Sequence, residues 1–137
     1  MAGSRTRQAP QRLILDSGAV IALSRGEQRA RAFIARAVEL GVPVEVPVVV
    51  VAETVRGGAR DAPVNRVLKA VGEVPQANEA LGRTAGRLLA SARSSATVDA
   101  LVVAQAVASG GAQVLTGDAG DLEPLAARHP EVWIQRL

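Results

Sequence analysis

Cysteine and tyrosine are absent from this 137-residue chain, and phenylalanine, tryptophan, methionine, histidine and lysine occur once each. Each shortage removes a class of function. Without cysteine there is no disulfide framework and no thiolate zinc site, and a cytoplasmic location fits that composition. A single histidine, His129, weighs against both a Ser/His/Asp triad and a His-rich metal site. Beside Pro130 it reads as a surface loop residue. Phe33 falls on the core face of a helical pattern and Trp133 in the last strand-like run, so base stacking is not a main means of recognising nucleic acid. No apolar run approaches the ~20 residues of a membrane span. The chain is 48% hydrophobic with a mean hydropathy of +0.18, but Asp16, Pro43, Pro47 and Glu53 break its runs. Residues 1–11 carry arginine and no apolar stretch, so they read as a flexible basic tail rather than a secretory signal. Residues 12–137 are then long enough for one domain with a proper core.

The charge that is present is arginine. Of 16 basic residues Lys69 is the only lysine, and the formal net charge is +3. Guanidinium groups suit phosphate and carboxylate partners. So small an excess is weak evidence for nucleic acid by itself.

Periodicity organises the rest. Arg12 to Leu15 reads as a strand, Asp16-Ser17-Gly18 as a turn, and Ala19 to Leu23 as a short helix. Ala30, Phe33, Ile34, Ala37 and Val38 have helical spacing within Glu27 to Leu40, and Gly41 ends that helix. Val42 to Val46 reads as a second strand, and Pro47 opens a helix expected to run to Arg56 and stop at Gly57-Gly58. Val64 to Ala70 and Glu79 to Ala92 are helical, with a short strand at Glu73-Val74 between them. Thr97 is expected to cap a helix, Val98 to Ser109, that is apolar almost all round and therefore buried. Ala112 to Thr116 is a strand, Ala119 to Arg128 a helix and Val132 to Ile134 a final strand. This alternation with short links predicts a three-layer α/β/α sandwich around a mostly parallel sheet.

The 13 acidic residues divide by their neighbours. Asp16, Glu53, Asp99, Asp118 and Asp121 lie in or beside apolar segments, whereas the others lie mainly among polar residues. A carboxylate in apolar surroundings costs several kcal/mol unless it is paired or coordinates a metal. Asp16 and Asp118 follow predicted strands and Asp99 falls in the first turn of a helix. In a parallel sheet those positions share the edge where ligands bind, and Glu53 reaches it if its helix leans over. Oxygen-only ligands select hard cations, Mg²⁺ or Mn²⁺. Singly, each acid has a plainer reading. Asp118 with Asp121 has the spacing of a helix cap and its third-residue acid; Asp99 favours a helix N-terminus; Asp16 is a turn former and Glu53 a surface acid near Arg56. Only their conjunction asks for a metal.

Four ordered segments resemble the PIN-domain family, and within it the VapC-type toxins of bacterial toxin–antitoxin pairs. Leu13-Ile14-Leu15-Asp16-Ser17-Gly18-Ala19-Val20-Ile21-Ala22-Leu23 resembles the opening strand with its first catalytic Asp. Val49-Val50-Val51-Ala52-Glu53 resembles the helix carrying the catalytic Glu, and Thr97 to Ala106 the helix with the third acid, Asp99. Val114-Leu115-Thr116-Gly117-Asp118-Ala119-Gly120-Asp121-Leu122 resembles the closing Thr-x-Asp-x-x-Asp segment. Together they cover Leu13 to about Val132. Two positions depart from the pattern: Gly18 stands where Ser or Asn is common, and Leu122 where Phe is frequent.

The resemblance implies metal-dependent hydrolysis of single-stranded RNA. Asp16, Glu53, Asp99 and Asp118 would be the catalytic acids and would hold one or two Mg²⁺ or Mn²⁺, with Asp121 ligating directly or through water. Ser17 and Thr116 would support them; Thr116 could orient a carboxylate or a water, or be an ordinary strand-end hydroxyl. The implied partners are RNA, an antitoxin protein and a second copy of the chain. Arg25, Arg29, Arg56 and Arg60 are the arginines expected near the opening, holding RNA by its phosphates. A stand-alone processing nuclease and a noncatalytic binding module are the alternatives within the family. A phosphoacceptor receiver or a haloacid-dehalogenase-like phosphatase fits poorly, since Asp16-Ser17-Gly18 lacks a second acid and the only lysine is Lys69.

Overall fold

The computed structural model describes residues 11–137; the basic tail expected over residues 1–11 lies almost wholly outside them. Four strands make an all-parallel sheet in the order β2-β1-β3-β4, from β1 (Leu13–Leu15), β2 (Val44–Glu45), β3 (Ala112–Thr116) and β4 (Val132–Arg136). Seven α-helices connect them: α1 (Ser17–Ser24), α2 (Gln28–Leu40), α3 (Val48–Thr54), α4 (Ala62–Val71), α5 (Glu79–Ala92), α6 (Thr97–Ala108) and α7 (Ala119–Ala126). They cover both faces of the sheet, giving the predicted α/β/α layers. Among the described residues no helix is long and apolar enough to cross a membrane.

The central strands β1 and β3 are short and mostly apolar, as suits strands covered by helices on both sides. Leu13, Ile14, Leu15, Val114 and Leu115 are all buried. Helix α6 packs against α5, β3 and β4. Its small residues Ala100, Ala104 and Ala106 permit that close approach, and Val102 and Val103 fill the space between. Thr97 is its first residue rather than its cap: Ala96 precedes the helix, and the Ala96 N–H donates to the Ser94 hydroxyl at 3.0 Å.

Several boundaries differ from expectation, each for a local reason. Val42 does not begin β2, because its N–H donates back to the Ala37 carbonyl at 2.8 Å, closing α2 over Gly41 at φ 67°. Helix α3 stops at Thr54 rather than Arg56. The buried Asp61 carboxylate accepts the backbone N–H groups of Arg56 (2.9 Å) and Gly57 (2.6 Å), drawing that stretch out of the helix. Glu73 makes only an isolated bridge to Glu45, and Val74 is not in a strand. Strand β4 continues past Ile134 to Arg136, in register with Thr116.

One glycine sets a close approach that matters for the site. A Cβ on Gly18 would lie 2.9 Å from the Gly117 backbone nitrogen, so the first turn of α1 and the turn after β3 pass each other with no room for a side chain. This is the physical reason why Gly18 stands where the family pattern favours Ser or Asn. Gly18→Ala is expected to lower stability by roughly 1–2 kcal/mol, since overpacking outweighs the gain in helix propensity. Urea unfolding measures this; a variant as stable as the parent would show that the Gly117 turn yields freely.

Candidate active site

Asp16 directly follows β1 and stands at the N-cap of α1, only 5% exposed. Its Oδ1 accepts the Ser17 backbone N–H at 2.9 Å and its Oδ2 accepts the Thr116 hydroxyl at 2.8 Å. Thr116, completely buried at the end of β3, in turn accepts the Asp118 backbone N–H at 3.0 Å. One hydroxyl therefore ties the first acid to the loop bearing the fourth. The Asp16 N–H also donates to the Leu115 carbonyl at 3.0 Å, which fixes the ends of the two strands side by side.

Asp99 is the third residue of α6, half-buried, and its pKa is pushed up from 3.8 to about 6. Burial is the largest cause, followed by the charges of Asp16, Asp121, Glu53 and Asp118. The other four singled-out acids thus all act on Asp99 at the C-terminal edge of the sheet. Glu53, exposed near the end of α3, is brought there because α3 packs against α1 and α6. Asp118 also titrates above the usual carboxylate range, first because its side chain hydrogen-bonds Asp121 and then through burial and the Asp121 charge; Arg136 opposes the shift. Asp118 does stand at the N-cap of α7 with Asp121 in the first turn, but its side chain makes no cap bond.

Among the described residues no three acids are already gathered tightly enough to form a ready-made metal ligand set. Like charges of this kind repel, and a cation or a shared proton is what draws them together. The raised pKa of Asp99 reflects its burial together with that crowding. An oxygen-only donor set fits a hard divalent ion.

Of the predicted rim arginines, Arg29 donates to the Arg136 carbonyl at 3.3 Å, at the sheet edge that carries the acids. Arg56 folds back onto the Ala52 and Val55 carbonyls at the end of α3 (2.8 and 3.1 Å). Arg25 follows α1 and Arg60 lies in the 3-10 turn Ala59–Asp61, both exposed. Arg136, close enough to lower the Asp118 pKa, was missed because β4 was expected to end at Ile134. Its alternation with Ile134 along one strand was the available signal. Two buried acids were also missed. Glu45, flanked by Val44 and Val46, pairs with Arg12 at 2.7 Å, and Asp61 caps the backbone after α3. Neither is among the acids that shift Asp99.

The family model for the PIN domain matches residues 13–125. The chain belongs to the PIN domain family. Among solved structures, this PIN domain resembles a chain of VapBC2 from Rickettsia felis bound to a DNA fragment from its promoter, with a TM-score of 0.71 at 12% identity over 91% of this chain and 98% of that one. A chain of FitAB bound to an IR36 DNA fragment gives 0.66 at 17% identity, covering 90% and 94%. A chain of DNA-bound VapBC from Salmonella typhimurium gives 0.65 at 14%, covering 91% and 97%. No curated protein matches the sequence. Identities this low establish that the PIN fold is shared along almost the whole length of each chain.

Proposed function

We propose that this PIN domain is a metal-dependent endoribonuclease and the toxin of a toxin–antitoxin pair. The observation that carries the reading is the gathering of acids at one sheet edge: Thr116 joins Asp16 to the Asp118 loop, Asp99 and Asp121 line one cleft, and the charges of Asp16, Asp121, Glu53 and Asp118 all bear on Asp99. Asp16, Glu53, Asp99 and Asp118 would hold Mg²⁺ or Mn²⁺, with Asp121 completing the set. When bound, the ion lowers the pKa of a water and offsets charge on the leaving oxygen. The water oxygen forms a bond to phosphorus as the P–O3′ bond breaks, leaving a 3′-hydroxyl and a 5′-phosphate.

The protein's own part is positioning. Thr116 and the Ser17 N–H hold the two Asp16 oxygens in fixed directions, and Thr116 sets the distance to Asp118. Thr116→Val keeps the shape but removes both bonds of the hydroxyl. Outer-shell partners of this kind are worth about 10–100-fold in metal affinity or activity, so that loss is expected, with Thr116→Ser recovering most of it. Cleavage rates and Mn²⁺ affinity measure the effect; an unchanged Thr116→Val variant would make the hydroxyl purely structural.

The structural neighbours are toxin–antitoxin complexes, which supports an antitoxin partner here. Such a partner would cover the acidic cleft, with an Arg or Lys inserted where the metal would bind. A homodimer is part of the same proposal, as the family resemblance implies. Purified protein incubated with mixed structured and single-stranded RNAs tests the activity. Fragments that form with Mg²⁺ or Mn²⁺ and vanish with EDTA are expected. Intact RNA under every condition, from protein free of any bound inhibitor, would favour a noncatalytic binding role.

A further inference from the structure

A cleft of about 460 Å³ opens directly beside the acids, with Asp99 and Asp121 in one wall and Arg93, Ser94 and Ser95 of the α5–α6 loop in another. Pro124 and Leu125 of α7 close it and also line a second cleft of about 360 Å³, which carries Arg87, Arg128 and His129. The two clefts are therefore neighbours on either side of Pro124 and Leu125, one beside the acids and the other lined by arginine. Arg93 lines the cleft beside the acids.

Its backbone is unusual. At φ 50°, Arg93 is the only non-glycine among the described residues in the left-handed region, where it closes α5. Glycine takes that conformation without strain and is the ordinary choice at a helix end. An arginine kept at a strained position beside two carboxylates calls for a reason beyond ending the helix. Among the described residues neither Arg93 nor Arg128 forms an ion pair, so both guanidinium groups are available. Acids beside the clefts repel a phosphate chain, and arginine forks along them are the groups that offset this.

We propose that these two neighbouring clefts bind single-stranded RNA on one side of the cut, with Arg93 holding the phosphate nearest the acids and Arg128 and Arg87 holding phosphates beyond Pro124 and Leu125. Recognition of this kind grips the backbone rather than the bases, consistent with a chain that has almost no aromatic residues. The inference rests on the nuclease reading and adds the path of the substrate.

Steady-state cleavage of labelled single-stranded RNA oligonucleotides of random sequence, at several salt concentrations with Mg²⁺, tests it. Arg93→Gly removes the guanidinium and relieves the backbone, so its melting temperature should equal or exceed the parent's. Its KM should rise about tenfold with kcat nearly unchanged, and the salt slope should become shallower by about 0.7, the share of one phosphate contact on a single strand. Arg128→Ala should raise KM about threefold, a smaller effect farther from the cut, as expected for a lone phosphate contact. Arg36→Ala, on the far surface of α2, serves as the control. Arg93→Gly with the parent's KM and salt slope overturns the inference and leaves the nuclease reading intact, since the parent is cutting the same RNA. A parent that cuts no RNA with either metal overturns both.

Discussion

Asp16→Asn and Asp99→Asn are each expected to lower RNA cleavage by about 10³-fold. Charge stabilisation by a bound cation is worth several kcal/mol, and about 4 kcal/mol corresponds to about three decades of rate. The effect on stability runs the other way. The folded-state pKa of Asp99, about 6, lies above its ordinary value of 3.8, so ionising Asp99 costs the metal-free fold stability. The associated stabilisation is fully present below pH 3.8 and is lost as the pH rises through about 6. Asp118, raised chiefly by its hydrogen bond to Asp121, acts in the same direction. Metal-free Asp99→Asn should therefore melt above the parent at pH 8 and lose that advantage at pH 4. Activity has the opposite pH trend, because metal binding needs the ionised acids, and should fall as the pH drops below about 6. Thermal melts in EDTA and rate profiles check the two trends separately. An Asp99→Asn variant that is both inactive and less stable at pH 8 would make Asp99 a folding residue.

Arg12→Ala should unfold more easily by roughly 2–3 kcal/mol, although it lies far from the chemistry. Glu45 is 5% exposed; its Oε2 meets Arg12 at 2.7 Å, and its Oε1 is buried with no hydrogen-bond partner. Removing one partner of a buried pair costs about 3–5 kcal/mol because the remaining charge stays behind. The Arg12 side chain is 35% exposed, so water reaches it and the lower figure applies. Against a typical total of about 5–15 kcal/mol this is a large share. Replacing both members, Arg12→Ala with Glu45→Leu, should recover most of the loss, since an apolar group suits that position between Val44 and Val46. Chemical denaturation of the two variants decides the matter; a loss under about 0.5 kcal/mol in Arg12→Ala would mean that the pair behaves as a solvated one.

The elements whose geometry depends on nearby residues were legible in the sequence. Helix α2 follows from the spacing of Ala30, Phe33, Ile34 and Ala37 and ends at Gly41, which has the left-handed φ that its position demands. The burial of α6 follows from its almost unbroken apolar surface. What escaped depends on distant residues. Nothing near Arg56 announces that Asp61 will take its N–H, and β2 is shortened by the closing turn of α2. In the site, the five acids could be picked out because each sits beside apolar neighbours. The same criterion applied to Val44-Glu45-Val46 would have exposed Glu45, whose buried charge is structural. The link from Thr116 to Asp16 spans 100 residues, and the contact of Gly18 with Gly117 is almost as remote. Neither leaves a local pattern to read.

If these five carboxylates form one divalent-cation site, Mn²⁺ binding followed by electron paramagnetic resonance reports it without knowledge of the RNA target. Saturable binding at pH 8 by the parent, displacement by Mg²⁺, and loss of binding in both Asp16→Asn and Asp99→Asn are expected. Equal Mn²⁺ affinity in the parent and both variants, or no binding by any of them, would contradict such a site.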